Sequence, residues 1–236
     1  MRFFFIRHAQ STNNFLYDST GASTGRSSDP EVTPIGRQQI EILARFLRTG
    51  NPSWGKANNG QSGFGITHLY TSLMVRAVET GTSITNELGL PLVAWEDLHE
   101  TGGIYLDDVT TGTRIGQAGK NRADFANRFP KLVLPESLGD AGWWNRPYEE
   151  REQRSVRAQR VVDELLRRHG GADDCVAVVS HGGFYNRILR ALLRIEHEAC
   201  WFGMYNCGIT RIDFSPDTVD LVYMNRLDFM PSELVT

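Results

Sequence analysis

The chain of 236 residues has no long apolar run, little net charge and only three cysteines. No stretch approaches the roughly 20 apolar residues that cross a bilayer, so no membrane association is expected. Residues 2–7 offer four apolar residues between two arginines, against the 7 to 15 of a signal-peptide core. This favours a cytoplasmic protein. A net charge of −3 provides no basic field for nucleic acid. Cys175, Cys200 and Cys207 form an odd set without redox or zinc-ligand spacing, and read as free thiols. No Gly-Lys-Ser/Thr follows a glycine-rich loop, which excludes a P-loop. No internal repeat or low-complexity segment is evident. The six histidines include two that begin like the zinc motif H-E-x-x-H, His99-Glu100 and His197-Glu198. Gly103 and Trp201 stand where each second histidine belongs. His68 falls on a strand and His169 at a helix end, so no metal site and no cofactor are expected.

Short apolar runs ending in polar, chemically competent residues are present. Phe3-Phe4-Phe5-Ile6 leads into Arg7-His8, and Cys175-Val176-Ala177-Val178-Val179 leads into Ser180-His181-Gly182-Gly183. Runs of this length read as buried strands. Ile66 to Tyr70 is a third, with Arg76 in the first helical turn behind it. Leu92 to Trp95 is a fourth, followed by Asp97-Leu98-His99-Glu100. In open α/β sheets, ligands bind at the carboxyl ends of strands. Four such ends carry Arg-His, Arg, Glu and His, a set suited to a phosphoryl group.

The intervening segments read largely as helices. Thr33-Pro34 is an N-cap followed by proline at the first helical position. Helices are expected over Val75–Leu88, Glu149–His169 and Gly183–Arg194, with a shorter one near Asn121–Arg128. Gly50 to Gly65 reads as a loop, and Ile209–Phe214 with Val219–Met224 as a terminal hairpin. The arginines of the long helix (151, 154, 157, 160, 167 and 168) read as a solvated face. Glu150, Asp163 and Glu164 are placed to pair with Arg154, Arg167 and Arg168 at i,i+4. The fold class expected is α/β, a three-layer α/β/α sandwich with a mostly parallel central sheet. Residues 1–236 form one domain on this reading. Its core is residues 1–100 and 151–236, and residues 101–150, rich in Gly and Pro, are a cap inserted over the site. Tyr105, Trp143, Trp144 and Tyr148 either wall a substrate pocket or pack the cap onto the core.

The chain resembles the histidine phosphatase superfamily, which includes the cofactor-dependent phosphoglycerate mutases. The resemblance rests on Arg7-His8-Ala9-Gln10-Ser11-Thr12-Asn13-Asn14, Ser72 to Ala77, Glu100 and Ser180 to Gly183. Ser28 to Gly36 and Asn206 to Thr210 match more loosely. Ala9 stands where the family has Gly, and Gln10 where it has Glu. Alanine is small enough for the tight turn, and glutamine keeps hydrogen-bonding reach without charge. Residue chemistry alone does not choose which histidine attacks. The resemblance implies that His8 is the nucleophile, forming phosphohistidine, and that His181 binds the phosphoryl group. Arg7 and Arg76 offer charged forks and Asn14 a neutral donor. Glu100 is the expected acid for the leaving oxygen, because a carboxyl group beside a phosphate dianion holds its proton more readily.

The function expected is phosphomonoester hydrolysis on a small phosphorylated metabolite through a phosphohistidine. The mutases usually have Arg directly after the catalytic Glu; here Thr101-Gly102-Gly103 follows. The alternatives are mutase-type phosphoryl transfer and a phosphate-binding module without turnover. The partner expected is a small-molecule phosphate ester, not nucleic acid, with a homo-oligomer left open.

Overall fold

Strand β1 (Arg2–Arg7) is the centre of the architecture, because its Phe3-Phe4-Phe5-Ile6 run is buried on both faces. A strand apolar on both sides needs layers above and below it. The computed structural model describes residues 1–53, 63–196 and 199–236. In chain order β1 is followed by α1 (Thr12–Thr20), α2 (Pro34–Thr49), β2 (His68–Thr71), α3 (Val75–Leu88) and β3 (Leu92–Ala94). A 3-10 turn at Glu96–Leu98 leads to β4 (Tyr105–Asp107), β5 (Arg114–Gly116), α4 (Arg122–Arg128) and β6 (Leu132–Val133). The chain continues as α5 (Arg151–His169), β7 (Cys175–Ser180), α6 (Gly182–Leu193), β8 (Ile209–Phe214) and β9 (Val219–Arg226).

Among the described residues the main sheet has seven strands in the order β6-β3-β2-β7-β1-β8-β9. The first five run parallel, and β8 and β9 are antiparallel additions. The expected α/β class with a mostly parallel sheet is thus the observed one. One apolar layer joins Phe4, Ile6 and Val179 to α2 and α3 through Leu43, Leu47 and Val78. The opposite layer joins Phe3, Phe5 and Val178 to α5 and α6 through Val161, Leu165, Phe184 and Leu189. Alternate residues of β1 therefore face different helix pairs, as period-two geometry requires.

Local signals explain the helix bounds. Thr33 caps α2 by accepting from Gly36 N, with Pro34 next. Gly89 ends α3 in the left-handed region, where glycine is unstrained. Helix α1 had no periodicity to announce it, and it contains no buried residue. It starts from a capping box in which Ser11 and Asn14 bond reciprocally. Within residues 101–150, β4 and β5 form a separate ribbon, while β6 joins the main sheet beside β3. The reading of residues 50–65 as a loop falls largely outside the described residues, as does His197.

Candidate active site

Parallel pairing aligns the strand ends. Arg7 lies beside Ser180 in register, and Thr71 beside Val179, so the residues that follow converge on one edge. The His8 and His181 rings have centroids 5.0 Å apart. Both are buried. Each is within reach of one phosphoryl-sized group.

Hydrogen bonding distinguishes the two imidazoles. His8 Nδ1 lies 2.7 Å from the carbonyl oxygen of Ala9. A carbonyl only accepts, so Nδ1 carries the proton and Nε2 bears the lone pair. Arg76 Nε donates to that Nε2 at 3.0 Å. Burial, Arg76 and Arg7 together hold His8 well below the usual imidazole range, which keeps Nε2 unprotonated. His181 Nε2 is 2.9 Å from Ser72 Oγ, and its Nδ1 has no partner among the described residues. Burial, then Arg76 and His8, push His181 well below the usual range too. A phosphate dianion beside His181 would favour the protonated form of that ring.

Arg76 opens α3 directly behind β2, and Ser72 Oγ accepts from Met74 N where α3 starts. Asp29 Oδ1 lies 3.8 Å from Arg76 Nη1 and accepts from Val75 N at 3.1 Å. Burial outweighs Arg76 at Asp29 and raises its carboxyl to about 6. Arg7 donates through Nη1 to the carbonyl of Met204, while its Nε has no partner among the described residues. Asn14 Oδ1 accepts from Ser11 N, Ser11 Oγ and Asn206 Nδ2. Its amide N–H₂ is the donor left to offer. Asn206 Nδ2 also donates to the His8 carbonyl at 2.9 Å.

Glu100 sits across from this cradle. Its carboxylate accepts from Gly183 N at 3.0 Å, Phe184 N at 2.9 Å and Thr101 N at 2.7 Å. Two of these donors, Gly183 N and Phe184 N, open α6 and fix the orientation of the carboxyl group. A Cβ on Gly183 would stand 2.4 Å from Glu100 Oε1, so only glycine admits this approach. The second glycine of Ser180-His181-Gly182-Gly183 is thus explained by the carboxylate it receives.

The two departures from the family pattern are accommodated. Ala9 is fully buried and needs no left-handed backbone. Gln10 Oε1 accepts from Thr33 Oγ1 at 2.6 Å, a bond that a neutral amide makes fully.

Sequence reasoning missed the support behind Glu100. Arg157 belongs to a helix whose arginines read as a solvated face, yet it is 3% exposed. It pairs bidentately with Glu149 at 2.6 and 2.8 Å. It also donates to the carbonyls of Asp97 and His99. Glu149 Oε2 in turn accepts from Gly102 N. The buried pair therefore holds the backbone on both sides of Glu100. Ser180 Oγ adds a bond to the Leu98 carbonyl at 2.7 Å. Buried arginine with two acceptor carbonyls and a carboxylate is a satisfied group, not an orphan. Periodicity held the missed signal: Arg157, Ala158, Val161 and Val162 share one face of α5. Of the three expected pairs, Glu164 with Arg168 forms at i,i+4 among the described residues, at 2.6 Å. Arg154 instead donates to Tyr148 Oη, and Arg167 to Glu164.

Trp143 and Trp144 are buried and pack on His99 at centroid distances of 6.0 and 4.6 Å. A Cβ on Gly103 (φ +77°) would lie 2.0 Å from Trp144, so the glycine serves this packing. Tyr105 and Tyr148 meet edge to face at 4.7 Å beneath Gly102, and Arg26 lies 4.1 Å over the Tyr105 ring.

The fold and the facing histidines define an α/β protein with a buried cluster of His8, His181 and Arg76 at its strand ends. Residues 3–227 match the model of the histidine phosphatase superfamily (branch 1), and the chain belongs to that superfamily. Among curated relatives it is 27% identical to "Putative phosphoserine phosphatase 2" of Hydrogenobacter thermophilus, over 96% of both chains. It is 23% identical to a probable phosphoglycerate mutase of Yersinia enterocolitica, covering 91% of this chain and 85% of that one. The same fold occurs in the phosphoserine phosphatase of Entamoeba histolytica in complex with 3-phosphoglyceric acid. There the TM-score is 0.61 at 18% identity, over 98% and 99% of the two chains. A mycobacterial glucosyl-3-phosphoglycerate phosphatase also shares it, with a TM-score of 0.60 at 21% identity over 95% and 98%.

Proposed function

We propose that the protein is a phosphomonoester hydrolase that acts on a small phosphorylated metabolite through a phosphohistidine at His8. The observation carrying this reading is the tautomer of His8. Its Nδ1–H is fixed by the Ala9 carbonyl, and its Nε2 lone pair meets Arg76 at the cradle. Nε2 attacks phosphorus, the P–O bond to the alcohol breaks, and Glu100 gives the leaving oxygen its proton. Glu100 then takes a proton from the water that attacks phosphohistidine. Phosphate is released and His8 is restored. Arg7, Arg76, Asn14 and His181 bind the phosphoryl oxygens, where developing charge is best stabilised by pre-placed donors.

In this reading the guanidinium groups supply the cationic charge, and the reaction is metal-independent. The protein is assigned to the cytoplasm, in keeping with free Cys175, Cys200 and Cys207. The division into core and inserted cap rests on Trp143, Trp144 and Gly103 packing residues 101–150 against His99 and the Glu100 loop. Self-association is left to measurement of mass in solution.

Labelled phosphate ester mixed briefly with enzyme and quenched in alkali should leave acid-labile label on His8. His8→Ala should lose both label and turnover, by at least about 10⁴-fold. An active His8→Ala enzyme would sink the assignment. Release of inorganic phosphate from an ester panel, set against interconversion of phosphoglycerates, separates hydrolase from mutase. Chelator should leave turnover unchanged.

A further inference from the structure

A second cluster of ligating side chains lies at the opposite edge of the sheet. His68 opens β2, Asp174 directly precedes β7, and His169 ends α5. Strands β2 and β7 are parallel neighbours, so their starting residues meet, just as their ends meet at the cradle. Six residues of β7, roughly 20 Å of strand, separate this cluster from His181.

The three side chains offer ligand atoms that all lie within 4.8 Å of one another. Asp174 Oδ2 is 2.8 Å from His169 Nδ1, and Asp174 Oδ1 is 3.9 Å from His68 Nδ1. The two imidazole centroids are 4.5 Å apart. The frame beneath them is fixed by backbone bonds. Arg2 N donates to the Asp174 carbonyl, Thr67 N to that of Cys175, and Cys175 N to Thr67 Oγ1. Thr67 Oγ1 lies 2.9 Å from His68 Nδ1, and Tyr70 Oη lies 3.1 Å from His169 Nε2.

We propose that His68, His169 and Asp174 form a binding site for a divalent transition-metal ion of the zinc class. Two imidazoles and one carboxylate suit zinc, nickel or copper, whereas magnesium and calcium prefer oxygen-only sets. The site is graded in exposure. The His169 side chain is 4% exposed, against 27% for Asp174 and 42% for His68. The buried imidazole anchors the ion and the open side admits water as a further ligand. Tyr70 makes the exchange chemically balanced. Without metal, His169 Nδ1–H donates to Asp174 and Nε2 accepts from the tyrosine hydroxyl. With metal on Nδ1, the ring proton sits on Nε2 and the hydroxyl accepts it. The ring stays neutral, and the outer nitrogen keeps the partner that a metal-bound histidine requires. The ion would tie the starts of two core strands to the end of α5. It would brace the sheet at a distance from the chemistry.

The test is equilibrium dialysis and thermal melting with Zn²⁺ in a non-coordinating buffer, on the full chain. Wild type should bind one equivalent, and its melting temperature should rise with Zn²⁺ but not with Mg²⁺. His68→Ala and Asp174→Asn alter partly exposed groups. Each should weaken binding at least tenfold and abolish the thermal shift, while phosphatase turnover stays at the wild-type level. His8→Ala should bind Zn²⁺ as wild type does, which separates this site from the cradle. The proposal is overturned if wild type binds no Zn²⁺ at 100-fold molar excess. It is equally overturned if binding survives His68→Ala and Asp174→Asn with less than a threefold change, or disappears in His8→Ala.

Discussion

The histidine cradle, proposed to hold phosphate, and the Glu100 arm are built by different means. The cradle hangs from strand ends in the centre of the parallel sheet, where register brings His8 and His181 together and Arg76 follows on the helix behind β2. Glu100 stands on a loop beyond β3, and its position depends on side chains far away in sequence. Glu149 and Arg157 hold that loop, and Gly183 leaves room for the carboxylate. The cradle is thus a property of the sheet, and the arm is a property of contacts between the core and residues 101–150. Damage to one should leave a different kinetic signature from damage to the other.

Glu100→Gln should make the largest difference between substrates. It keeps size and hydrogen bonding but cannot donate the proton. Single-turnover rates on alkyl esters should fall roughly 10²- to 10⁴-fold, and those on p-nitrophenyl phosphate far less, because its leaving group needs little protonation. Equal losses on both classes would remove the acid role. Arg76→Ala attacks the cradle instead. It should lower kcat/KM by about 10²- to 10³-fold on both classes alike, since the phosphoryl oxygens are common to both. A loss confined to alkyl esters would erase the distinction between cradle and arm.

Arg157→Met tests the arm from behind without touching substrate. It strands Glu149 in a buried site, so unfolding free energy should drop by about 3–5 kcal/mol. The Glu149→Gln, Arg157→Met double variant should recover part of that loss. Both variants should lower kcat on alkyl esters by about tenfold, leave KM nearly unchanged, and follow the leaving-group pattern of Glu100→Gln. A purely structural pair would lower stability with no leaving-group dependence.

The smallest effect belongs to Asp29. Burial raises its folded carboxyl to about 6, above the ordinary aspartate range. A raised carboxyl favours the protonated folded form, so wild-type stability should fall as pH rises through about 6. Asp29→Asn has no charge to bury. Its melting temperature relative to wild type should therefore improve between pH 4.5 and pH 8, by at most about 3 kcal/mol in unfolding free energy. A pH-independent difference would show that Arg76 already neutralises the burial cost.

The same division decides what the sequence disclosed. Apolar runs ending in Arg7-His8 and Ser180-His181 marked both strands and both histidines, because a buried strand leaves a dense local signature. Thr33-Pro34 and Gly89 marked helix bounds for equally local reasons. The choice between histidines was not legible, since the His8 tautomer rests on the Ala9 carbonyl, which only the folded backbone brings against Nδ1. Arg157 was misread because an arginine's charge masks the apolar stripe on which it lies. Helix α1 left no stripe at all. The cluster of His68, His169 and Asp174 has no motif spacing, and only strand pairing assembles it.

The sheet order also bears on how the chain is made. Strand β1 emerges from the ribosome first, yet its two neighbours, β7 and β8, belong to the last third of the chain. At typical synthesis rates the wait lasts roughly 10–40 s. Through that interval Phe3-Phe4-Phe5-Ile6, an uncharged and strand-prone run, has no native partner. Such non-local pairing also slows refolding of the finished chain. The nascent β1 segment is therefore the one expected to engage a holding chaperone.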